Sequence, residues 1–160
     1  MKRSFVLLAA LFVAGSLFAS GSGGGGMSGG GGTVSGKTSA PTAVDYYNKG
    51  YAEANAGKYP EAIADLKQAI ALKPDYAEAY NMLGFSTRKS GDVKGAYAFY
   101  DTALKLKPNF PEAREYYGEA YLQDGNLAKA VQQYIVLEKM RSKNAAELLE
   151  KIGDYVNSNS

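Results

Sequence analysis

Residues 31–38 read GGTVSGKT, and Gly31, Gly36, Lys37 and Thr38 stand at the spacing G-x-x-x-x-G-K-[ST]. That spacing does phosphate chemistry when a buried strand feeds it and a helix follows. Backbone N–H groups then cradle the phosphates, lysine reaches them, and the hydroxyl meets Mg²⁺. Here residues 21–32 are Gly or Ser throughout except Met27, a run with nothing to make a hydrophobic strand. Pro41 follows three residues after Thr38. A glycine tract also produces both glycines of the pattern by itself, so the expectation is a coincidental match, with a P-loop NTPase as the least favoured function.

Other catalytic constellations lack their residues. There is no histidine and no cysteine, which removes the Ser-His-Asp and H-E-x-x-H arrangements, thiolate nucleophiles, disulfides and thiolate metal sites. Lys and Arg number 18 against 16 Asp and Glu, and Lys2 and Arg3 account for the excess. The rest of the chain is formally neutral without a basic block, so no nucleic-acid partner is expected. No enzyme activity, cofactor, metal or small-molecule substrate is expected.

The N-terminus points to export. Lys2 and Arg3 precede an apolar and small run over residues 5–19, with small residues continuing to Ser22. This is the layout of a secretory signal peptide over residues 1–20, cleaved somewhere in 16–22. The core is short for a membrane span. An uncleaved signal anchor is the alternative, and the absence of cysteine excludes a lipid-modified N-terminus. The expected location is the periplasm or the exterior, where ATP is scarce, a further point against the phosphate loop. Residues 21–41 read as a disordered Gly/Ser linker.

Residues 42–157 carry a repeat of period 34, over 43–76, 77–110 and 111–144. The eighth position is Gly50, Gly84 and Gly118, the fifteenth Gly57, Gly91 and Gly125, the twentieth Ala62, Ala96 and Ala130. Position 24 is Leu66, Tyr100 and Tyr134. Each block predicts two helices, A and B, parted where a glycine can take the left-handed conformation. Asp75-x-x-Glu78 and Asn109-x-x-Glu112 suggest capping boxes, Asn144-x-x-Glu147 opens a seventh helix, and Pro60 and Pro111 suit first turns. Pro74 and Pro108 end the preceding B helices. The third block departs with Leu137 and Ser142, and residues 144–156 read as a capping helix whose Leu148, Leu149 and Ile152 cover the last repeat.

In these positions the chain closely resembles the tetratricopeptide repeat (TPR) family. The resemblance implies an all-α solenoid, a right-handed superhelix of helix–turn–helix repeats with a concave groove lined by the A helices. Tyr46, Tyr59, Tyr80, Tyr100, Tyr121 and Tyr134 fall where the family places core aromatics. The groove positions of the first A helix map to Val44, Tyr47, Tyr51, Ala54 and Asn55. Those of the second are Glu78, Asn81, Phe85, Arg88 and Lys89, and those of the third Glu112, Glu115, Glu119, Leu122 and Gln123. Of these, Tyr47, Tyr51, Asn55, Asn81, Phe85, Arg88, Lys89, Glu112, Glu115 and Glu119 are the candidate binding residues.

Family members that clamp acidic chaperone tails carry Lys, Asn, Asn, Lys and Arg where this chain has Tyr47, Tyr51, Met82, Glu112 and Tyr116, so that specificity is not expected. The expected function is a non-catalytic interaction module. Its expected partner is a protein or peptide with an apolar anchor for the aromatics and a basic residue for the acidic stripe. The rival is a self-associating scaffold of the envelope.

Overall fold

The structure is a computed structural model, and it describes residues 40–160. The signal-peptide, linker and phosphate-loop readings lie outside the described residues. Seven α-helices follow one another without a strand among the described residues: α1 Ala43–Asn55, α2 Tyr59–Leu72, α3 Ala77–Lys89, α4 Val93–Leu106, α5 Pro111–Gln123, α6 Leu127–Lys139 and α7 Asn144–Ser158. They form an all-α solenoid of three helix pairs, with α7 against the last.

The hairpins turn where the glycines stand. Gly57, Gly91 and Gly125 have φ of 76°, 104° and 77°. The next residue's N–H then reaches back to Glu53, Thr87 or Tyr121, satisfying a carbonyl that the helix end would leave unpaired. At the end of α6 the same job falls to Arg141, with φ 53°, and Ser142 donates to the Leu137 carbonyl.

The helix starts differ from the capping boxes expected from sequence. The cap residues of α3 and α5 are Tyr76 and Phe110, and neither makes a side-chain cap bond. Asp75 and Asn109 lie one residue too early to reach the first free N–H groups. α7 does open at Asn144, whose side chain turns to Ser142 and Glu115. The real capping box is at α1, where Asp45 N–H donates to Thr42 Oγ1 and Thr42 N–H donates to Asp45 at 2.7 Å. That backbone N–H holds the Asp45 carboxyl below its usual range. Asp92 and Asn126 cap α4 and α6, each cap contributing about 1 kcal/mol.

Close packing explains the small residues. Ala62, Ala96 and Ala130 are fully buried. A Cβ on Gly50 would sit 2.7 Å from the Leu66 side chain, and one on Gly84 2.6 Å from the Tyr100 ring. At Gly118 the neighbour is Leu148 of α7, and the position-24 residue Tyr134 is only half-buried.

Of the six tyrosines assigned to the core, Tyr100 and Tyr121 are buried, whereas Tyr46, Tyr80 and Tyr134 pack at its margins. Tyr59 departs from that expectation. It is the first residue of α2, and its ring meets the edge of Phe85. Between α4 and α5 the rings of Tyr100, Tyr117 and Tyr121 stack in series, at 5.3 and 4.3 Å.

Candidate functional site

Aromatic side chains of the three A helices gather in two sets at or beside the positions that the family resemblance assigns to the groove. Tyr47 and Tyr51, one turn apart on α1, have ring centroids 6.0 Å apart, and Tyr47 also lies 4.9 Å from Tyr76 at the head of α3. On α3, Phe85 lies between Tyr59 at 6.3 Å and Tyr116 of α5 at 5.2 Å. Tyr51 remains 46% exposed. Burial pushes the Tyr47 hydroxyl up to about 12, so it stays protonated and can donate a hydrogen bond at neutral pH. Arg88 and Lys89 each hold a cation 5.7 Å from the Phe85 ring. The face offers aromatic surface with hydroxyls and the exposed cation of Lys89, a combination suited to apolar anchors of a partner chain; Arg88 is only 5% exposed and paired with Glu119, so it is not an open groove cation.

Tyr116 belongs to the second of these sets although it was absent from the groove positions read from sequence. It occupies position 6 of its repeat, where repeat two has Met82 and repeat one Asn48. The same position contributes to the chaperone-tail clamp, and that correspondence was the available signal. Asn55 and Lys89 are exposed at the C-terminal ends of α1 and α3. Asn81 is 4% exposed, and its Oδ1 has no hydrogen-bond partner among the described residues.

The acidic stripe expected on α5 is divided by its neighbours. Glu112 is exposed. Glu115 is only 6% exposed and accepts a hydrogen bond from Asn144 Nδ2 of α7, so it is not an open groove carboxylate. Burial, followed by the charges of Glu147 and Glu119, pushes its carboxyl up to about 7, against the opposing Asn144 bond. Glu119 is held by Arg88 at 2.7 Å. Sequence spacing put three carboxylates on one helical stripe; the docking of α7 and the reach of Arg88 decide which of them a partner can meet. Glu78 is likewise engaged, by Lys107 at 2.7 Å.

α7 walls a cleft against α3 and α5. Its Lys151 and Tyr155 join Arg88, Glu119, Leu122 and Gln123 around a cleft of about 230 Å³. Leu148 and Ile152 are buried, but Leu149 is 48% exposed, so it does not cover the last repeat as the sequence suggested. Leu149 lies one residue around the helix from Leu148, on the flank turned away from α5.

Comparison with known proteins places these observations in a family. The model described as "TPR repeat" matches residues 50–87, and that described as "Tetratricopeptide repeat" matches residues 88–152. The crystal structure of MamA is 32% identical, with 71% of this chain and 62% of that one covered and a TM-score of 0.55. This chain thus spans about 62% of the length of that relative. The first TPR domain of human RPAP3 is 23% identical over 73% of this chain and 94% of that one, with a TM-score of 0.65, a likeness of fold. The second TPR domain of human RPAP3, in complex with the HSP70 peptide SGPTIEEVD, is 25% identical over 69% and 94%, with a TM-score of 0.62. No curated protein sequence matches the chain.

Proposed function

Because the chain belongs to the tetratricopeptide repeat family, we propose that it is a non-catalytic interaction module, exported to the periplasm or cell envelope, that binds a peptide segment of another protein in its groove. The observation that carries this reading is the two aromatic pairs Tyr47–Tyr51 and Phe85–Tyr116, contributed by three helices and left open at Tyr51. Aromatic anchors in a concave face supply most of the binding energy in such interfaces.

The peptide carries an apolar anchor for these pairs and a Lys or Arg. The cation is assigned to Glu112, since Glu115 is covered and Glu119 is paired. The RPAP3 domain in complex with a peptide supports a peptide as the kind of partner. An acidic chaperone tail is a poor fit, because Tyr47, Tyr51, Met82, Glu112 and Tyr116 stand where its clamp would need cations and amides. Export rests on Lys2, Arg3 and the apolar run of residues 5–19.

The test is crosslinking and pull-down from the exported fraction, followed by titration of the recovered partner. Tyr51→Ala with Phe85→Ala should weaken binding at all salt concentrations, and Glu112→Lys mainly at low salt. Variants that fold normally and bind like the parent would eliminate the groove.

A further inference from the structure

α7 rests on α5 through a buried carboxyl group that has no cation beside it. Glu115 is 6% exposed, and its Oε2 accepts a hydrogen bond of 2.5 Å from Nδ2 of Asn144 at the head of α7. The direction of that bond is fixed. Ser142 Oγ donates to Asn144 Oδ1 at 2.8 Å and accepts from the Asn144 N–H at 3.2 Å, which leaves Nδ2 to face α5. Ser142 stands where the earlier repeats have Pro74 and Pro108, and a proline has no hydroxyl to orient the amide. Apolar packing closes the contact. Ala145, Leu148 and Ile152 are buried, and a Cβ on Gly118 would come within 2.5 Å of the Leu148 side chain.

The charged groups around Glu115 do not neutralise it. Glu147 acts on it from α7 and Glu119 from the next turn of α5, both as carboxylates. From α3 comes Arg88, already held by Glu119 at 2.7 Å. The neighbouring Tyr116 hydroxyl is pushed up by burial and then by Glu115 itself, so it adds no charge. α4 turns Asp101 to Tyr117, and α6 turns Gln133 to Arg114. Those lie on other flanks of α5, since successive helical residues are about 100° apart.

Two facing carboxylates resist ionising together when one of them is out of water. Glu147 is exposed and is solvated, so the proton belongs on Glu115. It sits on the oxygen that Asn144 leaves free, where it can be donated to Glu147. With the proton the carboxyl groups join α5 to α7; without it they push the helices apart.

We propose that α7 is a proton-controlled latch: it stays docked on α5 while Glu115 holds its proton, and it loosens when that proton leaves. Among the described helices α7 packs on α5 and α6 alone, so its release leaves the packing of α1 to α4 in place. Release also opens the cleft that Lys151 and Tyr155 wall against Arg88 and Glu119. Undocked, Glu115 meets water and titrates near the ordinary 4.5; docked, it is pushed up to about 7, chiefly by burial. The docked form binds the proton more tightly. Docking is therefore strongest below the ordinary value and weakens as pH rises through about 7. Between about pH 6 and about pH 8 these values make opening about tenfold easier. The latch does not depend on the peptide reading, since it invokes none of Tyr47, Tyr51, Phe85 or Glu112.

Amide hydrogen exchange of the purified chain tests it, with each rate divided by the intrinsic rate at the same pH. Amides of α7 should be less protected than those of α3 at either pH and respond weakly to added urea, the mark of a local opening. Their protection should fall about tenfold between about pH 6 and about pH 8. Glu115→Gln keeps an acceptor for Asn144 and offers Glu147 a donor that does not titrate, so it should abolish the fall. Glu150→Gln, on the exposed side of α7, should leave it as in the parent. The proposal is overturned if protection of α7 does not change with pH, if Glu115→Gln keeps the parent's fall, or if Glu150→Gln removes it. It is equally overturned if α7 and α3 share one protection level and one urea dependence, because the opening is then unfolding of the whole domain.

Discussion

The guanidinium of Arg88 on α3 meets the carboxylate of Glu119 on α5 at 2.7 Å, and Arg88 is only 5% exposed. The pair ties adjacent A helices together under the groove floor. A buried cation that loses its partner is costly, whereas replacing both members by apolar groups is often neutral. Glu119→Ala should therefore destabilise the fold by about 2–4 kcal/mol, and Arg88→Met with Glu119→Leu by clearly less. Chemical denaturation of the two variants checks this. Equal losses would show that the pair contributes no isolated-charge penalty.

Two helical glycines should respond oppositely to the same substitution. Gly84→Ala drives a methyl into the Tyr100 ring, an overpacking that costs about 1–3 kcal/mol. Gly153→Ala enters open space and should stabilise the folded monomer by about 0.5–1 kcal/mol through helix propensity. Thermal melts separate the two. A gain at Gly84 would contradict the close approach of α4.

Glu115 should make stability depend on pH near neutrality. Its carboxyl is pushed up to about 7 by burial and by Glu147 and Glu119, with Asn144 opposing, and Arg88 is already committed to Glu119. The native state holds this proton more tightly than the unfolded chain does. The stabilisation is therefore complete below the ordinary glutamate range, near pH 4.5, and is lost as pH rises through about 7. Melting temperature should fall across that window. Glu115→Gln, which keeps an acceptor for Asn144, should flatten the decline. An identical profile for parent and variant would refute the assignment.

Arg141 offers a stabilising change. Its φ of 53° is one that a residue with a Cβ adopts at a cost of about 1 kcal/mol, and three glycines do the equivalent work at the hairpins. Arg141→Gly should raise stability by up to about 1 kcal/mol, measured by urea unfolding. A loss larger than that would mean that the arginine side chain contributes contacts of its own to the α6–α7 junction.

The hairpin glycines, the buried alanines and the alternation of helices were legible in the sequence because local backbone conformation and a fixed period dictate them. Gly57 or Gly91 needs no knowledge of distant residues to be read as a helix end. Even so, the local cues failed at the helix starts, where tertiary packing placed Tyr76 and Phe110 as caps instead of Asp75 and Asn109. Tyr47, Tyr51 and Phe85 were singled out by the positions that the family resemblance assigns to a groove, and each takes part in a ring contact.

Accessibility on α5 was not legible, because it depends on residues distant in sequence. Glu112, Glu115 and Glu119 are equivalent on a helical wheel, yet one is open, one lies beneath Asn144 and one is taken by Arg88 thirty-one residues earlier. Period and turn chemistry are local properties that the sequence by itself determined. Which side chains remain available to a partner was decided by the docking of α7, a contact made only in the folded solenoid.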